Sequence, residues 1–519
     1  MTPLTRTRGR RVLALTATFG ALAFGAAACG SSSDNDPDPA QAVPASAPIY
    51  AQVTVKPDGD LKANTESVLK KLGVDDPAKD ITELLKDSAD DPGSVDDVKE
   101  WIGSRAGVFV TSFTGDTDAA VVLGTSDPDK AADNLDKDGR KKGSYKDVDY
   151  WFDEDGSAVQ GVVGDYAVSG TERAFRTVVD TVKGDDVDTI ADNSDYQAGL
   201  KAIGSDDALA TAYISTEGVL NAIGRSGGIP AQQLGQIRQQ LAQVGGKTTV
   251  VKLAPSSNSI TLEVATLGLK EGEPTSGAAA TALAGLPGDA WLGVGLPHVG
   301  ETLRGAMQQG LQLASAAGQD VNGQLQAIQQ ALGIDIDKDL LSWMGDGGLF
   351  ASGAAATNLG GALVLQTTDA AKAQQALRKL SALVPQIADG VKVRRASVAG
   401  ADDAVEFRTD GFPFPIVAAV GNDRFVLGVG EKAVAQGLSP TTTLADSPSF
   451  KSASEALGDV KPAFFVDVGA VGSLLGALVP ATDPDTQQVL SAVQKVSTIA
   501  AGTQRDGTTQ RTKIVVTLK

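Results

Sequence analysis

Two periods run through the hydrophobic and polar positions of this chain. Short β-branched or apolar stretches bounded by Gly, Pro or Asp predict strands at Ile49–Val55, Gly107–Thr114 and Ala119–Thr125. Tyr145–Phe152, Ser157–Val163 and Tyr166–Gly170 predict a meander, with turns at Asp155-Gly156 and Gly164-Asp165. Between them, helical spacing is predicted near 61–72, 78–87, 127–136, 171–183 and 194–203. Links between successive strands are short, which favours antiparallel pairing. The class is therefore α+β, each sheet mostly antiparallel and packed with helices.

The same pattern occurs twice. VPASAPIYAQVTV from Val43 matches LPGDAWLGVGL from Leu286, and DVKEWIGSRAGVFV from Asp97 matches DLLSWMGDGGLFA from Asp339. AVVLGTSDPDKAADNL from Ala120 matches ALVLQTTDAAKAQQAL from Ala362, and DYAVSGTERA from Asp165 matches RFVLGVGEKA from Arg424. SDYQAGLKAIG pairs with PSFKSASEALG, and both copies close on a strand pair, Thr248–Leu267 and Thr498–Leu518. Order is kept while spacing drifts, as loop insertions would cause. Two tandem homologous repeats are expected, at 47–268 and 286–519, joined by a linker at 269–285.

The N-terminus has its own pattern. Four arginines (6, 8, 10 and 11) precede an apolar run, Val12 to Ala28, that is shorter than the ~20 residues a spanning helix needs. The run ends Ala26-Ala27-Ala28-Cys29-Gly30, which resembles the lipobox of bacterial lipoproteins, although Ala26 stands where Leu is usual. Residues 1–28 are expected to be a lipoprotein signal peptide. Cys29 is the expected lipidation site, since its thiol is the only nucleophile available for lipid transfer. Two acyl chains anchor stably where one, at ~0.8 kcal/mol per buried methylene, is marginal. Polar, Pro-interrupted sequence predicts a flexible tether over 29–46.

Charge and composition narrow the function. Four of the 45 basic residues lie in the expected signal peptide, leaving 41 against 64 acidic ones in the remainder. That balance argues against nucleic acid as a partner. Residues 284–519 hold 22 acidic and 18 basic side chains, so the excess falls on 30–283, net −19. Anionic lipid headgroups would repel that region. One cysteine excludes an intramolecular disulfide, and the one histidine, His298, leaves most of the chain without the commonest general base or metal ligand.

Each motif that suggests chemistry has a plainer reading. Ser67-Val68-Leu69-Lys70 fits the S-x-x-K of penicillin-binding enzymes, but Ser194-Asp195-Tyr196 and Lys247-Thr248-Thr249 miss the third residue of its partner motifs. Gly293-Val294-Gly295 imitates a dinucleotide fingerprint with His298 in place of the third glycine. Glycines admitting another backbone explain it better. Asn134, Asp136, Asp138 and Gly139 begin like a calcium loop, but Tyr145 stands where Glu is needed; Asp34, Asp36 and Asp38 lack both glycine turn and distal Glu. Asp335, Asp337 and Asp339 lead into a helix and suit its N-terminus. Trp101 and Trp343 recur before a glycine and a strand, as core anchors would. Apolar stripes at Leu234, Ile237, Leu241 and Val244, and at Val321, Leu325, Ile328 and Leu332, read as core faces with Gln-rich backs. No catalytic, cofactor-binding or metal-ligating residue is assigned.

The export signal, the Pro44-Ala45-Ser46-Ala47-Pro48 entry into the first strand and the Trp101-Ile102-Gly103 and Trp343-Met344-Gly345 pair resemble the domain-of-unknown-function 3352 family of exported bacterial proteins. The resemblance covers most of 43–519 and implies no known activity. The expected function is a non-enzymatic lipoprotein on the extracytoplasmic side of the cell membrane, without cofactor. It would contact the membrane through the lipid on Cys29 and bind an apolar ligand. A scaffold for another envelope protein is the alternative, and a carboxylate-based enzyme the third reading.

Overall fold

The computed structural model describes residues 36–74, 100–113, 117–135, 140–153, 156–227, 229–271, 277–316, 321–355, 358–388, 390–411, 414–478 and 484–519. The chain is α+β with antiparallel ladders throughout the described residues. It divides into two compact units. Unit 1 is Met1–Pro274 together with Arg505–Lys513, and unit 2 is Thr275–Gln504 with Ile514–Lys519.

In unit 1, β1 (Ile49–Thr54) pairs with β2 (Ile102–Ser112) on one side and β8 (Ala210–Ser215) on the other. From β2 the ladder continues through β3 (Asp118–Thr125), β7 (Tyr166–Gly170), β6 (Val159–Val163), β5 (Val148–Phe152) and β4 (Lys142–Tyr145). From β8 it continues through β9 (Gly245–Pro255) and β10 (Ser259–Leu269). The helices are α1 (Gly59–Lys71), α2 (Pro128–Leu135), α3 (Glu172–Lys183), α4 (Ser194–Ile203), α5 (Thr216–Ser226) and α6 (Ala231–Val244). The segment expected to be one strand at Tyr145–Phe152 is a hairpin. It turns at Lys146-Asp147, both at positive φ, which a two-residue turn of this hand requires.

The strands of unit 2 follow in the same order as those of unit 1, with a further helix at the start. It opens with α7 (Ala278–Ala284) and β11 (Ala290–Leu296), then α8 (Val299–Ala316), α9 (Val321–Leu332) and a π-turn at Ile336–Leu341. β12 (Met344–Ser352), β13 (Gly360–Thr367), α10 (Ala370–Ile387), β14 (Val391–Arg395), β15 (Asp403–Thr409), β16 (Ile416–Gly421) and β17 (Arg424–Val429) follow. α11 (Glu431–Leu438), α12 (Pro448–Leu457), β18 (Phe464–Asp467), α13 (Val468–Leu478), α14 (Pro484–Lys495), β19 (Val496–Asp506) and β20 (Thr509–Leu518) complete the chain, residues 505–513 of this last strand pair belonging to unit 1. β11 pairs with β12 and β18, β13 with β17, and β14 to β17 form a meander, each matching a unit 1 pairing. Small features match too. The bridge Pro44–Thr189 has its counterpart in Pro287–Thr443, and the capping box Thr189/Asp192 in Thr443/Asp446. The outer meander strands carry Lys142, and Lys392, Arg394 and Arg395, charges that blunt a strand edge against further pairing.

One face of each sheet carries the main core. In unit 1, Tyr50, Phe109, Tyr213 and Val250 pack with Phe175, Val178 and Val179 of α3 and Tyr196 of α4. Tyr196 stands edge-on to both Tyr50 and Tyr213, with centroids 5.8 and 5.6 Å apart. In unit 2, Phe450 and Phe465 repeat one such pair at 5.3 Å, but Gly293 occupies the register of Tyr50. The space goes to Leu283 of α7 and Leu444, whose side chains a Cβ at 293 would strike. Helix α7 also explains Gly295, because the Ala279 carbonyl lies where its Cβ would be.

Two expectations are corrected. Residues 36–46 do not form a tether. Ala40, Ala42 and Val43 are buried in the core, and a 3-10 turn at Pro39–Gln41 is capped by Asp38. The Asp36 carboxylate accepts the Ser104 N–H at 2.9 Å, Asp38 pairs with Arg105 at 3.0 Å, and Gly124 leaves room for the Pro37 carbonyl. Polar composition suggested a tether because the few apolar residues are small and spaced between prolines, yet they fill a slot that small residues suit. Nor is 269–285 a plain linker, since it contains α7, whose Leu283 is fully buried.

Candidate functional site

The opposite face of each sheet is apolar as well, and it is only half covered. Cross-strand register places Ile49, Ala51 and Val53 of β1 beside Val108 and Val110 of β2, and beside Ala212 and Ile214 of β8. Thr249, Val251 and Leu253 of β9, then Leu262, Val264 and Thr266 of β10, continue that face. None of these side chains is charged. At the β3 end the face is closed by Trp101, Ile102, Ala131 of α2 and Ala167. Helices α5 and α6 lie against β9, and α1 reaches the same strand. Their cover is partial, because Ile214 and Leu262 remain 37% and 36% exposed.

Unit 2 has the equivalent face. Leu292 and Val294 of β11 stand beside Phe464 and Val466 of β18, and beside Leu349 and Ala351 of β12. Ile499 and Ala501 of β19 extend it one way, and Leu363 of β13 and Leu427 of β17 the other. Its far end is sealed by Trp343, Leu377 of α10 and Phe425. Leu349 and Leu427 remain 42% and 39% exposed. A sheet apolar on both sides normally carries helices on both sides. Aliphatic side chains left half open in this way form a surface suited to flexible apolar groups.

Trp101 and Trp343 are both buried, in the clusters that close these faces. The Trp343 indole donates to the Asp339 carbonyl at 3.0 Å. Asp335 caps the π-turn by accepting the Lys338 N–H, and Asp339 accepts from the Asp335 N–H and pairs with Lys379 at 2.6 Å. The Lys379 hydrogen bond, then the Asp335 N–H, hold the Asp339 carboxyl below its usual range. Asp337 binds Arg304. These are structural roles.

His298 has φ +47, a side chain more than half exposed, and an N–H donated to Asp346 at 2.8 Å. Ser67 lies on α1, its hydroxyl donated to the Ser257 carbonyl at 2.7 Å. Cys29, the signal segment, the helix expected near 78–87, Asp34, Asp136, Asp138 and Gly139 lie outside the described residues. Among the described residues no group of three His, Cys, Asp or Glu could hold a metal ion, and no helix is long and apolar enough to cross a membrane. The apolar helical stripes are not core along their length: Leu234 is buried, Ile237, Val321 and Leu325 are half-buried, and Leu241 is exposed.

The strongest acid–base perturbations fall on the unit 1 tyrosines. Burial pushes Tyr50 well above its ordinary value and Tyr166 and Tyr196 up to about 12. They therefore stay protonated at neutral pH and supply no phenolate base.

Sequence reasoning did not find the half-covered faces. Their signal is present in strands such as AWLGVGL, which are apolar or small at odd and even positions alike.

A sequence profile described as a protein of unknown function, DUF3352, matches residues 10–518. No curated protein matches. Among solved structures, crystal form I of TP0453 is 11% identical, with a TM-score of 0.26, covering 46% of this chain and 81% of that one. Crystal form IV of TP0453 is 13% identical, with a TM-score of 0.25, covering 44% and 80%. At such scores the likeness carries no argument about fold or function.

Proposed function

Because this chain belongs to the DUF3352 family, whose description assigns no activity, we propose its function from its own geometry: a non-enzymatic binding or carrier protein for an apolar ligand. We place it at the extracytoplasmic side of the cell membrane, held by lipid on Cys29. The observation that carries the binding reading is the uncharged sheet face, half covered in each unit, with Ile214 and Leu262, and Leu349 and Leu427, reaching solvent. Support for a non-enzymatic role comes from the Trp, Asp and Gly motifs, whose described members pack, cap or make room. The matching order and pairing of elements support an origin of both units by duplication, hence two equivalent sites.

Native mass spectrometry of the secreted Cys29→Ala chain tests the binding. Apolar adducts are expected, and they should weaken when Ile214 and Leu349 are both replaced by Lys. Adduct-free protein that also fails to bind a fluorescent fatty-acid probe would refute the carrier reading. The Cys29 variant also tests the anchor: membrane fractionation and mature mass identical to wild type would remove it. A second reading, an envelope protein partner, is favoured by Leu241 and Leu303, which are exposed on Gln-rich helices.

A further inference from the structure

Glu263, in the middle of β10, is 2% exposed. A carboxylate taken from water to that depth needs compensating charge and hydrogen bonds. Lys252, its cross-strand neighbour on β9, is the more distant of its two cations. Its ammonium is 3.8 Å from Glu263 and is held instead by the Gly204 carbonyl at 2.7 Å and Asp207 at 3.0 Å. The close partner is Arg511, from the C-terminal segment that belongs to unit 1. Its Nε and Nη2 both donate to Glu263 Oε1, at 2.9 and 2.5 Å. The same segment satisfies the end of β10, where the Leu269 N–H donates to the Thr508 carbonyl at 2.9 Å and Arg505 donates to the Lys270 carbonyl.

We propose that residues 505–513 are a strap that completes unit 1, with Arg511 as its locking residue. The lock is electrostatic: Arg511 neutralises a carboxylate that the sheet has already buried. Unit 1 is then discontinuous in sequence, and residues 47–268 alone leave Glu263 without its close cation.

Hydrogen exchange and thermal unfolding of the full chain test this. Arg511→Met keeps the aliphatic stem and removes the charge. Amide exchange across residues 259–269 should accelerate by roughly tenfold or more, because β10 opens locally. The unit 1 melting transition should fall by roughly 5–15 °C. Adding Glu263→Gln should recover most of both effects, since no buried charge then awaits a partner. Wild-type exchange in Arg511→Met would overturn the lock. So would a double variant no better protected than the single one, which would reduce Arg511 to a packing residue.

Discussion

Replacing Trp343 by Ala is the sharpest test of whether the recurring tryptophans are core or contact residues. The ring is 1% exposed, lies 5.1 Å from Phe425 between centroids, and packs among Leu365, Leu377 and Val405. Truncating such a ring removes its transfer free energy and leaves a cavity, together about 3–5 kcal/mol. The aromatic pair and the indole hydrogen bond to Asp339 are part of that total, because contributions around one side chain are not additive. Trp343→Phe separates them. It keeps most of the apolar contact and loses the donor, for about 1 kcal/mol. Urea unfolding, with hydrogen exchange to assign each transition, should show unit 2 destabilised in that order while β1 to β3 of unit 1 keep their protection. A Trp343→Ala protein that unfolds at the wild-type midpoint would refute the reasoning, placing the ring on the surface and reviving a binding role.

Two further outcomes are expected. Glu406 is buried on β15 between Arg394 and Arg408, and the Arg394 hydrogen bond leads the effects that hold its carboxyl below the usual range. Its contribution is therefore complete above the ordinary glutamate value of about 4.3 and is lost as pH falls through the folded value. Unit 2 melting temperature should drop more between pH 6 and 3 in the wild type than in Glu406→Gln, and equal slopes would count against the assignment. His298 holds a left-handed backbone whose N–H donates to Asp346 at 2.8 Å, with the ring Nδ1 farther off at 3.4 Å from the same carboxylate. His298→Gly should thus leave calorimetric stability unchanged or slightly raised and ligand adducts intact; a loss of binding would assign the imidazole a role.

Much of the fold was readable from local chemistry. Ile49–Val55 and Ala119–Thr125 announce β1 and β3 through β-branched residues between breakers, and residues 194–203 form the expected α4, with Asn193 capping its first turn. Two elements were not readable. The Lys146-Asp147 turn lacks the glycine that usually marks such a hairpin, so two strands read as one. Strand β8 was missed because ATAYIS is short and its alternation weak. The candidate site was hidden for a deeper reason. Whether Val251 or Leu262 faces solvent depends on which helices lie over distant strands, and no local pattern encodes that cover. The strap is similar, since nothing around Arg511 in sequence points to Glu263.

The docked segment from Asp36 to Val43 sets a length. Seven peptide units separate Asp36 from Cys29, and an extended chain gains at most ~3.6 Å per residue, so the two positions can be no more than about 25 Å apart. If Cys29 is fixed to a bilayer, the body rides on a short leash rather than a long one. Such a leash exceeds the ~8 Å screening distance of physiological salt by only a few multiples. The acidic body therefore has room to escape the field of an anionic surface, but no room to roam. With that anchor, the body would stay in the membrane's immediate margin, within reach of molecules leaving the bilayer and out of reach of distant partners.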